Sequence, residues 1–135
     1  LLKPELEKGT WVISDRFFDS TKVYQGYARG IDMRMLDEIN RFSCRGLNPD
    51  LTIVLDIPPE LGIRRSAGRA AKEEFENDRF DSETLQFHTA VRNGFLKLAE
   101  LEPERIKIIA AGGTVEEVAR AVRECVNHEL GLDLF

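Results

Sequence analysis

Three short apolar runs, WVIS at 11–14, LTIVLD at 51–56 and IKIIA at 106–110, alternate with long stretches of helical periodicity, and this alternation limits the fold more than anything else in the chain. Runs this short and rich in Val and Ile are too brief for helices and suit strands covered on both faces. Strands separated by helices build parallel β-α units, so the expected class is α/β, a doubly wound parallel sheet with helices on each side. Three parallel strands make a thin core, and such sheets usually have more members. The chain starts without Met inside a helical pattern, Pro4 to Lys8, ended by Gly9. The expectation is a single partial domain over 1–135, incomplete at its N-terminus.

Between the strands the punctuation is explicit. Asp19 or Ser20 is expected to cap a short helix through Tyr27, weakened by Gly26 and broken by Gly30. Asp32 caps a longer one, in which Met35 or Leu36, Ile39 and Phe42 recur at helical spacing until Gly46. Pro58 and Pro59 open a helix that carries Leu61, Ile63, Arg64 and Arg65. From Ser66 to Asp78 the apolar pattern disappears, which predicts a mobile loop. Asp81 then caps a helix with Leu85, His88, Val91, Phe95 and Leu98 on one face, ended by Glu102 and Pro103. Thr114 with Glu117 is a capping box, and Val115, Val118, Val122, Cys125 and Val126 are expected to face the core as far as Gly131.

Composition removes several classes of function. The 135 residues, 42% hydrophobic, can bury one core. With 19 basic against 24 acidic residues and a net charge of −5, broad electrostatic binding to nucleic acid or to anionic membrane is disfavoured. No apolar run approaches the roughly 20 residues of a membrane span, and the opening LLKPELEKG lacks the order of a signal peptide, so a cytoplasmic protein is expected. Cys44 and Cys125 form no motif and fit a reducing compartment, while His88 and His128 have no partner at metal-ligand spacing.

The chemistry concentrates in DRFFDSTKVYQGYARG, 15–30. It opens at the carboxyl end of the first expected strand, where ligands gather in open α/β sheets. Arg16 offers a bidentate fork suited to phosphate, and Asp15 could orient it or position a metal-bound water; a plain surface ion pair is the other reading. Thr21 and Gln25, and likewise Ser20 and Tyr24, lie four apart and share neighbouring lines on a helix. They could hydrogen-bond a base edge while the tyrosine walls off a sugar, or equally form an amphipathic surface. Arg64, Arg65, Arg69, Lys72 and Arg79 could close over a transferring phosphoryl group, or lie on a solvated face among Glu73, Glu74 and Glu76. Gly112 and Gly113 fit either close approach to a ligand or a tight turn. No GxxxxGK(S/T) loop occurs, so nothing here cradles the β- and γ-phosphates of ATP.

The pieces VISDRF, DSTKVYQGYARG, NPDLTIVLDIPPELGIRR and NDRFDSETLQFHTAVRNGFLKLAELEPERI, in this order and over nearly the whole chain, resemble the bacterial thymidylate kinase family from just after its second strand to its C-terminus. The resemblance implies a P-loop nucleoside monophosphate kinase fold without its P-loop strand, and transfer of the ATP γ-phosphate to dTMP with Mg2+. It implies that Arg16 holds the dTMP phosphate, that Asp15 lies near the magnesium shell, that Ser20 and Thr21 contact the nucleotide, and that Tyr24 crowds the 2′ position with Gln25 beside the base. The segment 66–79 looks like the lid, with Arg65, Arg69 and Arg79 reaching ATP phosphates, and Ala111 and Gly112 fall in a loop that brushes adenine. The family's usual Asp after the last strand is Ala110 or Ala111 here. A homodimer through helix faces is a further implication. The chain by itself is expected to be inactive. Another P-loop nucleoside or nucleotide kinase and a non-catalytic nucleotide-binding module are the alternatives.

Overall fold

The computed structural model of the chain describes residues 2–70 and 85–133, with backbone alone over 67–70. Two of the apolar runs form strands, β1 (Thr52–Asp56) and β2 (Ile106–Ala110), paired in parallel with Thr52 opposite Ile106 and Asp56 opposite Ala110. The helices are α1 (Leu2–Glu7), α2 (Phe18–Thr21), α3 (Met33–Ser43), α4 (Pro59–Ala70), α5 (Leu85–Leu101) and α6 (Val115–Leu130). The chain divides into two compact units, Leu1–Pro49 and Asp50–Phe135.

In the second unit the parallel pair is the organising element. Helices α5 and α6 both pack on β2, and α4 packs on α5. Val91, Leu98, Ile106, Ile109 and Ala111 are buried, and each large aliphatic side chain among them contributes about 1.5–3 kcal/mol by leaving water. The α5 face was expected to run from Leu85 to Leu98. Leu85 is exposed, and buried Gly94 stands with Val91 and Leu98, so a glycine absent from the hydrophobic pattern lies in the contact face. Polar groups tie the layers: Lys107 on β2 pairs with Glu129 on α6 at 2.9 Å, and Arg105 Nη1 donates to Thr52 Oγ1 at 2.9 Å. The expected capping box closes α6: Thr114 Oγ1 accepts from the Glu117 amide at 3.2 Å, and Glu117 Oε2 accepts from the Thr114 amide at 2.8 Å. Gly131 ends the helix in the left-handed conformation (φ 61°), which a side chain would disfavour. Val115, the first residue of α6, is exposed, because the first turn precedes the packed face; Val118, Val122, Cys125 and Val126 are half-buried.

Strands covered on both faces were expected, yet Leu55 and Ile108 are exposed, since the pairing among the described residues is a single ladder with sides left open. The helix expected to stop before Ser66 continues to Ala70, because Ser66–Ala70 holds no proline and its single glycine, Gly68, costs about 1 kcal/mol without ending a helix already begun at Pro59. The rest of the expected loop and the Asp81 cap lie outside the described residues.

The first unit departs further from expectation. Trp11–Ser14 is not a strand; Trp11 is 66% and Ile13 97% exposed, and no strand among the described residues of this unit supplies the hydrogen bonds that would make it one. Helix α2 begins at Phe18 with Phe17 at its cap and no side-chain capping bond, so Asp19 and Ser20 lie inside the helix. It runs directly into a π-helical segment, Lys22–Tyr27, in which the Ala28 amide reaches back five residues to the Val23 carbonyl at 2.9 Å. Asp32 caps α3 as expected, Oδ1 accepting from the amides of Arg34 at 2.8 Å and Met35 at 3.1 Å. Its inner face is Leu36 with Asn40, while Ile39 and Phe42, expected inside, are exposed. The π segment and α3 meet through Gly26: a Cβ there would collide with the Met33 sulfur and come within 3.2 Å of Leu36 Cδ1. Val23, in the same segment, is fully buried.

Candidate functional site

In the first unit the site is built around Arg16. Its φ of 63° lies in the left-handed region that side chains other than glycine rarely adopt. The Ser14 hydroxyl donates to the Arg16 carbonyl at 2.8 Å across the turn. The guanidinium carbon then lies 5.3 Å from the centre of the Tyr24 ring, within cation–π range. A charged fork and a flat aromatic thus stand side by side at the mouth of the π segment. Asp15 and Arg16 are exposed, whereas Ser20, Thr21, Tyr24 and Gln25 are half-buried.

The π geometry matters for this set. The i to i+5 closure widens the turn and rotates successive side chains by less than the α-helical step of about 100°. Four residues fall just short of one turn of such a helix instead of just past it, so the spacing of Ser20 with Tyr24 and of Thr21 with Gln25 stays compatible with one side of the segment. Two side contacts brace the segment: Lys22 pairs with Asp37 on α3 at 2.8 Å and lies over the Phe18 ring at 5.6 Å.

In the second unit a hydrogen-bonded chain runs behind the carboxyl ends of the strands. Asp56, the last residue of β1, receives a bidentate contact from Arg92 on α5, Nε to Oδ1 at 2.6 Å and Nη2 to Oδ2 at 2.8 Å. The hydrogen bonds from Arg92 hold the Asp56 carboxyl below the usual carboxylate range; partial burial opposes this, and the attraction of the guanidinium charge adds to it. The Asp56 carbonyl accepts from the Ala111 amide at 2.7 Å. Arg65 on α4 closes the loop from the other side, Nη1 donating to the Ala111 carbonyl at 2.9 Å and Nη2 to the carbonyls of Gly112 at 3.1 Å and Gly113 at 3.4 Å. Three successive carbonyls on one guanidinium fix the path of the 111–113 backbone.

Of the residues singled out in the sequence, Arg16 and Tyr24 come together in the first unit, and Arg65, Ala111 and Gly112 in the second. Arg79 and the side chain of Arg69 lie outside the described residues. Sequence reasoning missed Ser14, and it missed the Asp56–Arg92 pair. The signal for Asp56 was present, an acid ending an apolar run as Asp15 does; nothing marked Arg92 as its partner across 36 residues.

A family model described as thymidylate kinase matches residues 1–122. Thymidylate kinase from Marinomonas sp. (strain MWYL1) is 48% identical over 123 residues, 91% of this chain and 56% of that protein. Thymidylate kinase from Carboxydothermus hydrogenoformans is 48% identical over 115 residues, 85% of this chain and 53% of that protein. The chain thus spans about half the length of the curated relatives it matches. Among solved structures, thymidylate kinase from Ehrlichia chaffeensis superposes with a TM-score of 0.68 at 28% identity, covering 94% of this chain and 55% of that one. The small parallel sheet with its helices is accordingly part of the α/β fold of P-loop nucleoside monophosphate kinases. With the family model matched over nine-tenths of its length, the chain belongs to the thymidylate kinase family.

Proposed function

We propose that the protein carrying this chain transfers the γ-phosphate of ATP to dTMP, giving dTDP for dTTP synthesis. The observation that carries this reading is the Arg16–Tyr24 pair, an anion fork beside an aromatic wall, in a chain of this family. Arg16 binds the dTMP phosphate through two parallel N–H donors, which hold one oxygen free for attack. Thr21 and Gln25 meet the pyrimidine edge, Ser20 the nucleotide nearby, and Tyr24 lies against C2′, where a hydroxyl would collide. The dTMP oxygen attacks the γ-phosphorus in line, the bond to the β-γ bridging oxygen breaks, and ADP leaves.

Segment 66–79 acts as the lid. Arg69 and Arg79 spread the developing charge, and Arg65, donating to the 111–113 carbonyls, ties the root of the lid to the loop that meets adenine. Magnesium in a nucleotide complex takes one or two protein carboxylates with substrate phosphates and water, and the exposed Asp15 carboxylate beside Arg16 fits that requirement. When bound, the ion neutralises charge on the β- and γ-oxygens. Among the described residues no three ligating side chains gather into a metal site of their own. A cytoplasmic homodimer is part of the same reading; among the described residues no helix is long and apolar enough to cross a membrane.

The test is ATP-dependent phosphorylation of dTMP by the product of the whole open reading frame, with the 135-residue chain in parallel. Turnover by the longer protein alone is expected, because no phosphate-cradling loop occurs within these residues. A preference for dUMP, dCMP or thymidine would reassign the acceptor, and nucleotide binding without turnover would make the protein a binding module.

A further inference from the structure

Ser14 stands outside every role assigned above. It is exposed, so its hydroxyl and not its packing is what it contributes, and that hydroxyl donates to the Arg16 carbonyl at 2.8 Å. The bond spans the one residue of the turn, Asp15, and ends on a residue whose φ of 63° is unfavourable for a side chain. Left-handed backbone in a non-glycine residue persists only when its surroundings hold it. The second restraint on Arg16 is the Tyr24 ring, 5.3 Å from the guanidinium carbon. One contact fixes the backbone and the other the head group.

We propose that Ser14 is a positioning residue for substrate phosphate binding: its hydroxyl holds Arg16 in the left-handed turn that aims the guanidinium across Tyr24. The inference rests on the assignment of Arg16 to the dTMP phosphate. Without the Ser14 hydrogen bond the turn relaxes toward negative φ, the side chain swings off the ring, and the fork must be re-formed each time substrate binds. The penalty falls on the binding of the monophosphate alone.

The experiment compares Ser14→Ala, Ser14→Thr and Arg16→Lys in the full-length protein, reading KM for dTMP, KM for ATP and Tm. Ser14→Ala is expected to raise KM for dTMP about 3- to 10-fold, the worth of one hydrogen bond, with KM for ATP and Tm unchanged. Ser14→Thr, which keeps the hydroxyl, is expected to restore it. If Arg16→Lys raises KM for dTMP and Ser14→Ala does not, Ser14 is no positioning residue and the role of Arg16 stands. If Arg16→Lys also has no effect, the inference falls together with the role of Arg16. A rise in both KM values with a fall in Tm, or failure of threonine to rescue, marks a structural role and overturns the proposal.

Discussion

The two units hold their arginines in opposite ways. Arg65 donates to three carbonyls of a loop whose own backbone is anchored to β1, behind which Arg92 and Asp56 form a bidentate pair. Arg16 stands on an unfavourable backbone conformation, steadied by one hydroxyl and one ring face. The first arrangement is stable without ligand and makes a fixed wall. Among the described residues the second has the Tyr24 ring and the Ser14 hydroxyl as its restraints, and it is the arrangement that an anion would stabilise more. If Arg16 takes the monophosphate as proposed, the weaker arrangement suits a site that must accept and release its ligand, and the stronger suits a loop that must keep its shape.

The contrast predicts a clean split between substrates. Arg16→Ala removes a charge-assisted bidentate contact, each bond of which contributes about 1.5–3 kcal/mol, so KM for dTMP should rise by about 100-fold or more while KM for ATP stays within twofold. Steady-state kinetics with each substrate varied in turn decide it; parallel rises in both would dissolve the distinction between the two arginines. Arg65→Ala should show the mirror image at smaller size, roughly 3- to 10-fold in KM for ATP, because it loses neutral acceptors at a partly exposed site and the loop keeps its anchor to β1. An unchanged KM for ATP would mean that the 111–113 loop holds its shape without the guanidinium.

How much of this was legible beforehand differs between the units for the same reason that their arginines differ. In the second unit local signals and tertiary structure agree at the strands and at the ends of α6. LTIVLD and IKIIA are strands with boundaries close to those read, Thr114 and Glu117 form the box, and Gly131 takes the left-handed cap. In the first unit the signals needed partners that the local sequence could not supply. WVIS has β propensity, but a strand exists only through its neighbour. The short helix expected through Tyr27 is α-helical only as far as Thr21, and from Lys22 the chain winds as a π-helix. Gly26, read as a weakness, is what lets that segment approach Met33 and Leu36. The conformation of Arg16 left no trace in the sequence at all, since arginine is a poor residue for it.

The Asp56–Arg92 pair gives the fixed wall a pH signature. Because the folded carboxyl lies below its ordinary value of 3.8, the unfolded state binds the proton more readily. The contribution of this pair is then complete above the unfolded value and is lost as pH falls below it toward the folded one. Asp56→Asn should therefore lower Tm at pH 7 and flatten the dependence of Tm on pH below about 4, the ordinary Asp range. Thermal melts of both forms across pH 2.5–7 check this; a variant with the same acid slope as the parent would show that other carboxylates carry the acid sensitivity.

The smallest effect tests the premise of the comparison, that Arg16 is held against its backbone preference. Left-handed φ costs a side-chain residue about 1–2 kcal/mol, and glycine relieves it at an entropic cost of about 0.5–1 kcal/mol in the unfolded chain. Arg16→Gly should thus leave stability unchanged or raise it by up to about 1 kcal/mol, while abolishing the monophosphate fork. Arg45, with φ of 52° in the same unit, supplies the control. Arg45→Gly should shift stability in the same direction and leave KM for dTMP alone. Chemical denaturation of the two variants separates the cases. Equal, small gains with loss of dTMP binding only at Arg16 would mean that the strain there is kept for the substrate. A fall in stability at Arg16 alone would mean that its side chain contributes to the free protein as Arg65 does, and the two arrangements would then differ in degree only.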